Sequence, residues 1–190
     1  MKYNSEIESI GICLPERKLT TDEILSKIKI NKIRLELFTG IRERHICDEN
    51  ENAITLAVDA IKDCLKHSKY KADEINMLIC CSISRYGENN KFIHEPSLSN
   101  EIAFRTGIHN SLNFDISNAC AGMMTGLQIA SQFIQNGNFQ NCLIVSGENI
   151  SSICFNAIPN IGSLSSPELA SLTVGDAGAA VIISKSQYED

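Results

Sequence analysis

Residues 114–130 read FDISNACAGMMTGLQIA. The stretch is a short strand that feeds a turn of small residues (Ser117, Asn118, Ala119) and then a helix beginning near Cys120. Gly122, Gly126 and Ala130 recur every four residues and give that helix a flat side for close packing. Met123, Leu127, Ile129, Phe133 and Ile134 cover its other sides, the pattern of a core helix, which places Cys120 at the foot of a deep pocket. The free N–H groups and positive end of the dipole at a helix start favour a thiolate. The same N–H groups suit a developing oxyanion. On spacing alone, Cys120 also reads as one more small core residue, because a lone cysteine near a helix start carries little information.

The elements on either side alternate. Residues 6–14 (EIESIGICL) form a strand that stops at Pro15, and the run Thr20-Thr21-Asp22-Glu23 caps a helix carrying Ile24, Leu25 and Ile28. Residues 50–66 place Ile54, Ala57, Val58, Ile61 and Cys64 at helical spacing, with Asp59, Lys62, Asp63 and Lys66 on the wet face. Residues 75–84 (INMLICCSIS) are a nearly continuous apolar run, expected as a buried strand. A long polar loop, residues 85–96, follows, and loops of that length often serve a site. Then come a helix at 97–105, a strand at 112–116, the helix at 120–135, a strand at 141–147, an irregular stretch to residue 172 and a last strand at 179–184. The expected fold is a layered α/β arrangement with a covered sheet, continuous over residues 1–190 without linker or repeat.

Composition narrows the function. The chain has 190 residues, 17 Lys+Arg, 23 Asp+Glu and a formal charge of −6. Residues 106–184 contain no Lys or Arg, and their acids are Asp115, Glu148, Glu168 and Asp176. Nucleic acid is therefore excluded as a partner, and much of this stretch has to be buried. The uncharged run 116–147 is interrupted by Asn and Gln residues that are costly in lipid, so a membrane span is excluded too. The N-terminal MKYNSEIESIG lacks the apolar core of a secretory signal, which points to the cytoplasm. Eight cysteines form no CxxC pair, and most sit among Ile, Leu and Val; neither a disulfide framework nor a metal site is expected.

Three motifs in order, TGIRERHI (residues 39–46), DISNACAGMMTGLQIA (115–130) and GDAGAA (175–180), resemble the β-ketoacyl-acyl-carrier-protein synthase III family. The resemblance runs from Ile7 to the end and implies a thiolase-like fold, of which this chain is the N-terminal half of an internal duplication. By resemblance Cys120 is the nucleophile. It takes an acyl group from a thioester, and the carbanion left by decarboxylation of a malonyl-type thioester then attacks the acyl-enzyme. No metal or other cofactor is implied. The partners implied are acyl-carrier-protein or coenzyme A thioesters, with a homodimer, or a heteromer with a second thiolase-like half.

In that family a His and an Asn (or second His) assist decarboxylation from the second half of the fold. Here His45, His67 and His109 fit poorly as substitutes, and His94 stands in the long loop. Departures from the family pattern bear on substrate. Arg34 and Phe38 occupy the positions of a Trp and an Arg that grip coenzyme A, and a later coenzyme A-binding Arg has no counterpart, which favours a carrier-protein donor or an altered binding mode. Glu95, in HEPS, replaces a Phe that closes the partner's acyl pocket, and implies a polar or functionalised acyl group; it also reads as a solvated loop acid. Ser151 and Val174 match other pocket-lining positions. Two alternatives stand beside the condensing enzyme: a non-decarboxylating acyltransferase or hydroxymethylglutaryl-type synthase on the same fold, and a non-catalytic partner subunit.

Overall fold

The EIESIGIC segment forms the strand β1 (Ser5–Cys13), and its glycine is one of three that set the first packing layer. The structure is a computed structural model that describes residues 4–28, 30, 34–87 and 91–187. After β1 come β2 (Lys18–Thr20), α1 (Thr21–Leu25), α2 (Leu35–Thr39), β3 (Glu43–His45), α3 (Ala53–Lys66), β4 (Met77–Cys80), α4 (Leu98–Thr106) and β5 (Leu112–Asp115). The series ends with α5 (Gly122–Gln135), β6 (Asn141–Glu148), α6 (Ser151–Ala157) and β7 (Ala177–Lys185). These elements fall into two compact units.

The first unit comprises Met1–Cys13, Asn52–Glu148 and Gly178–Asp190. Its five-stranded sheet has the order β1-β7-β6-β4-β5. It is mixed: β4 runs parallel to both β5 and β6, while β1 is antiparallel to β7. Period-two alternation splits the apolar strands between two cores. Leu78, Cys80, Leu143 and Val145 pack with Ile54, Ala57 and Ile61 of α3 and Ile102 of α4. Met77, Ile79, Cys142 and Ile144 pack with Ala130 and Ile134 of α5. A sheet covered on both faces reads as continuous apolar sequence, which is why these strands lack polar alternation.

Helix α3 lies unusually close to the sheet because three strands present it with a glycine. A Cβ on Gly11, Gly147 or Gly178 would fall 2.2 Å from Cys64 N, 1.9 Å from Ala53 O and 2.2 Å from Leu56 O, respectively. On the other face, α5 buries the every-fourth row Gly122, Gly126, Ala130 and Ile134. A Cβ on Gly126 would stand 2.8 Å from Ile144 Cγ2 and 3.0 Å from Cys81 Sγ. The flat side read from the sequence is the packed side. The core helix expected over 120–135 is corrected in two ways: α5 starts at Gly122 after a 3-10 turn, and its outer face is open, with Met124 68% exposed.

The strand expected over 75–84 stops at Cys80. Cys81 N–H still reaches Val145 O at 2.7 Å, but beyond it side chains take over the sheet's bonds. Ser82 Oγ accepts from Gly147 N–H (3.0 Å), and Glu148 accepts from Ile83 N–H (2.7 Å) and Ser84 N–H (2.9 Å). Residues 88–90 of the expected loop lie outside the described residues.

The second unit comprises Leu14–Glu51 and Asn149–Ala177. It holds the β2–β3 antiparallel pair and a core of Leu19, Ile24, Ile46, Cys154, Ile158 and Leu172. The cap read at residues 20–23 is present as a reciprocal capping box between Thr20 and Glu23. The pair β2–β3 and the helices α2 and α6 have no counterpart in the sequence reading, because three to seven residues are too few to set a period. Among the described residues no helix is long and apolar enough to cross a membrane.

Candidate active site

Beyond β5, Ile116 N–H donates to Cys80 O at 2.9 Å and holds the chain on the sheet for one more residue. Ala119 then takes a left-handed φ of 41°, a conformation that costs a residue with a Cβ about 1–3 kcal/mol. The strain turns the backbone sharply into the 3-10 turn Ala119–Ala121, which carries Cys120. Two bonds brace the turn: Asn118 Nδ2 donates to Thr125 Oγ1 (2.8 Å), and Thr125 Oγ1 donates to Ala121 O (3.0 Å). No side chain caps the start of α5; the N–H groups of Ala121 and Gly122 turn back to Asn118 O and Ala119 O and close the 3-10 turn.

Cys120 is the exposed cysteine of this chain; Cys64, Cys80, Cys81, Cys142 and Cys154 are buried, and Cys13 and Cys47 are half-buried. This corrects the expectation that Cys120 sits deep in a pocket. The helix start itself packs closely, since a Cβ on Gly122 would stand 3.1 Å from Cys81 O, and the exposed thiol lies on the turn before it. Burial pushes the Cys80 thiol up to about 11 and Cys81 to about 12, and raises Cys64, Cys142 and Cys154 as well. Those five are held protonated at neutral pH and are poor nucleophiles.

Three of the four acids in residues 106–184 organise backbone N–H groups. Glu148, at the end of β6, holds the segment after β4, with Ser84 Oγ (2.7 Å) and Ser146 Oγ (2.9 Å) added to its two N–H donors. Asp115, at the end of β5, accepts from Leu98 N–H (3.0 Å) and Ser99 N–H (2.8 Å) at the start of α4, and from Arg85 Nη2 (2.8 Å). Burial works to raise the Asp115 carboxyl, but the Ser99 and Leu98 N–H groups, the Ser99 side chain and Arg85 together hold it below the usual value. In the second unit, Asp176 accepts from Cys47 N–H, Ile150 N–H, Ser151 N–H and Ser151 Oγ at 2.6–2.8 Å. These anchors were not assigned from the sequence. Their signal was present, since acids in a stretch without cations have to be met by N–H and O–H donors.

The other sequence-derived site residues are placed as follows. Glu95 is exposed and lines a cavity of about 300 Å³ with Ile54, Phe92, His94 and Arg105; Cys120 is not among its lining residues. Ser151 is buried and commits both N–H and hydroxyl to Asp176. Val174 is half-buried against the second unit's core. Arg34 lines a separate cavity of about 540 Å³ with Leu35, Leu37 and Arg42, and Phe38 is 84% exposed. His45 Nδ1 is engaged by Pro15 O and His67 Nδ1 by Asp63 O, while His94 and His109 are exposed. Among the described residues no three His, Cys, Asp or Glu side chains cluster as a metal site would require.

With this geometry in hand, residues 114–190 match the family model for 3-oxoacyl-[acyl-carrier-protein] synthase III, a span that begins on the strand feeding Cys120. The chain is similar in sequence to enzymes of the β-ketoacyl-acyl-carrier-protein synthase III family. It is 32% identical over 151 residues to the β-ketoacyl-[acyl-carrier-protein] synthase III of Clostridium novyi, covering 80% of this chain and 44% of that one. With the Streptomyces lividans enzyme of the same name it shares 29% over 178 residues, covering 94% and 48%. The priming β-ketosynthase of a polyketide biosynthetic pathway superposes with a TM-score of 0.82 at 26% identity, over 98% of this chain and 52% of that one. Cerulenin-bound Xanthomonas campestris OleA gives 0.85 at 25%, over 98% and 59%. The fold is therefore that of the thiolase-like condensing enzymes, and the chain spans about half the length of the curated synthase III relatives it matches.

Proposed function

We propose that this chain is the nucleophile-bearing N-terminal half of a synthase III-like condensing enzyme, an acyltransferase that works through Cys120. The observation that carries the reading is the exposed thiol on a strained turn, directly before a helix start that no side chain caps. The Cys120 sulfur attacks the carbonyl of an acyl thioester, the tetrahedral oxyanion draws on N–H donors at the start of α5, and the donor thiol leaves. A malonyl-type thioester then loses carbon dioxide, and its carbanion attacks the acyl-enzyme, releasing the cysteine and a β-ketoacyl thioester.

The His and Asn that assist decarboxylation come, in this proposal, from a second thiolase-like half. Ile7, Ile10 and Ile12 of β1, 55–61% exposed, and the open face of α5 offer apolar surface for it. The donor is an acyl-carrier-protein thioester or an altered coenzyme A mode, and the assembly is a homodimer or a heteromer. Glu95, Ser151 and Val174 are proposed to bear on the acyl group, Glu95 through its carboxylate and Ser151 and Val174 through the segments they anchor. Cysteines without disulfides suit a reducing compartment, so we place the reaction in the cytoplasm.

The test offers carrier-protein and coenzyme A thioesters to the full assembly and looks by intact mass for an acyl adduct. An adduct lost in Cys120→Ala supports the reading; no adduct with any thioester refutes it. An adduct without malonyl-dependent turnover would select the non-decarboxylating acyltransferase instead.

A further inference from the structure

The segment after β4 folds back on itself before reaching Glu95. Ile93 N–H donates to Arg85 O at 2.8 Å, and Gly87 N–H donates to Lys91 O at 3.0 Å. The backbones of Tyr86 and Phe92 bridge between these bonds, with their rings edge-on at 5.8 Å. Arg85 closes the base of this hairpin with its side chain. Its Nε donates to Ile93 O at 3.2 Å, while its Nη2 donates to Asp115 Oδ2 at 2.8 Å. Both partners are largely shielded, with Arg85 24% and Asp115 15% exposed, so the pair is less screened by water and salt than a surface ion pair.

The position of this pair matters more than its strength. Ile93 stands two residues before Glu95, and Asp115 stands five residues before Cys120. Asp115 also holds the first N–H groups of α4, the helix that begins three residues after Glu95. One guanidinium thus ties together the backbone arms that lead to the loop carboxylate and to the thiol. The planar guanidinium offers donors in two fixed directions, which a lysine ammonium cannot reproduce.

We propose that Arg85 is a positioning residue that fixes the Glu95 loop on the nucleophile strand of its own chain and, through Glu95 at the acyl pocket of the partner subunit, sets acyl selectivity. The selectivity part rests on the functional reading above, while the positioning part stands on the hydrogen bonds alone. Arg85 touches neither substrate nor thiol in this scheme. It acts by denying the hairpin other positions.

The experiment uses the full assembly and two thioesters, one with a plain alkyl acyl group and one ending in an ammonium. Adduct formation on Cys120 is timed by intact mass for wild type, Arg85→Gln, Arg85→Lys, Glu95→Gln and the double variant Arg85→Gln/Glu95→Gln. Glu95→Gln should lower the ammonium-over-alkyl rate ratio, and Arg85→Gln should lower it in the same direction, by about tenfold. Arg85→Lys keeps the charge and loses one bond, so it should fall between. The double variant should match Glu95→Gln alone, since Arg85 acts through that carboxylate. Additive effects, or an unchanged ratio in Arg85→Gln, would overturn the proposal.

Amide hydrogen exchange separates the two layers. Arg85→Gln should speed exchange at Gly87 and Ile93 by roughly 10- to 100-fold and leave the amides of α5 unchanged. Unaltered hairpin exchange refutes the positioning role even where acylation is normal. Faster hairpin exchange in a protein that no thioester acylates upholds positioning and refutes the functional reading alone. Faster exchange in α5 as well would mean general loosening and would also count against the proposal.

Discussion

Asp176→Asn is the substitution that most directly tests how the charge-poor half of the chain is held. Asp176 is 2% exposed and accepts four hydrogen bonds. Oδ1 takes Ile150 N–H at 2.7 Å and Ser151 N–H at 2.8 Å; Oδ2 takes Cys47 N–H at 2.8 Å and Ser151 Oγ at 2.6 Å. An asparagine of the same shape can put its carbonyl oxygen in the Oδ1 position and keep both helix-start donors. Its NH2 group then occupies the Oδ2 position. The Ser151 hydroxyl can rotate to accept from it, but the Cys47 N–H meets a donor where it had an acceptor.

The net change is one lost charge-assisted bond, one weakened one and a donor–donor contact, a cost of about 2–4 kcal/mol. For a chain of this length that lowers Tm by roughly 4–15 °C. Asp176→Ala leaves all four donors without their carboxylate and should cost more, a large share of the 5–15 kcal/mol that typically separates folded from unfolded. Urea unfolding followed by circular dichroism, with m compared between variants, measures both. A Asp176→Asn cost below about 0.5 kcal/mol, or equal to that of alanine, would refute the reasoning, because the site would then be open to water rather than satisfied by the carboxylate.

Gly147→Ala should destabilise by about 1–3 kcal/mol or more, as a Cβ there would lie 1.9 Å from Ala53 O and 2.7 Å from Ala57 N and would force α3 off the sheet; a neutral effect in the same urea titration would contradict the close approach. A disulfide-exchange reagent should find one fast thiol in the native protein and eight cysteines in denaturant, and Cys120→Ala should remove the fast one. Asp115 is held low when folded, so its contribution to stability is present above its unfolded value of about 3.9 and is lost as pH falls through the folded value. Asp115→Asn should accordingly flatten the pH dependence of stability below about pH 4, and an unchanged slope in acid would argue against that anchoring role. The isolated 1–190 chain should self-associate through the exposed Ile7, Ile10, Ile12 and Met124; a monodisperse monomer by light scattering would contradict this.

Much of the candidate site was legible in residues 114–130. The strand, the small turn and the every-fourth row of Gly122, Gly126 and Ala130 are local patterns, and the structure buries that row against β4 and β6. The exposure of Cys120 was not legible. An apolar sequence shows what a helix is able to bury, whereas its open face depends on what else stands beside it. The same limit applies to residues 75–84, where hydropathy ran past Cys80 but the ladder did not. Ile83 and Ser84 give their N–H groups to Glu148, and a swap of that kind leaves no mark on local hydrophobicity.

The burial expected of residues 106–184 holds along β6 but fails at Leu112, Met124, Ile153 and Leu164, which are 49–68% exposed. By itself, then, the sequence determined the layered α/β class, the sides of the helices that meet the sheet and the cysteine at the strand-to-helix turn. Each follows from spacing within a few residues or from composition. Only the tertiary structure decided what the acids of that stretch do. Asp115, Glu148 and Asp176 reach donors that are about 16, 65 and 129 positions away along the chain. Such bonds depend on which backbone groups the folded strands leave unpaired, and that is settled only once the strands have found their neighbours.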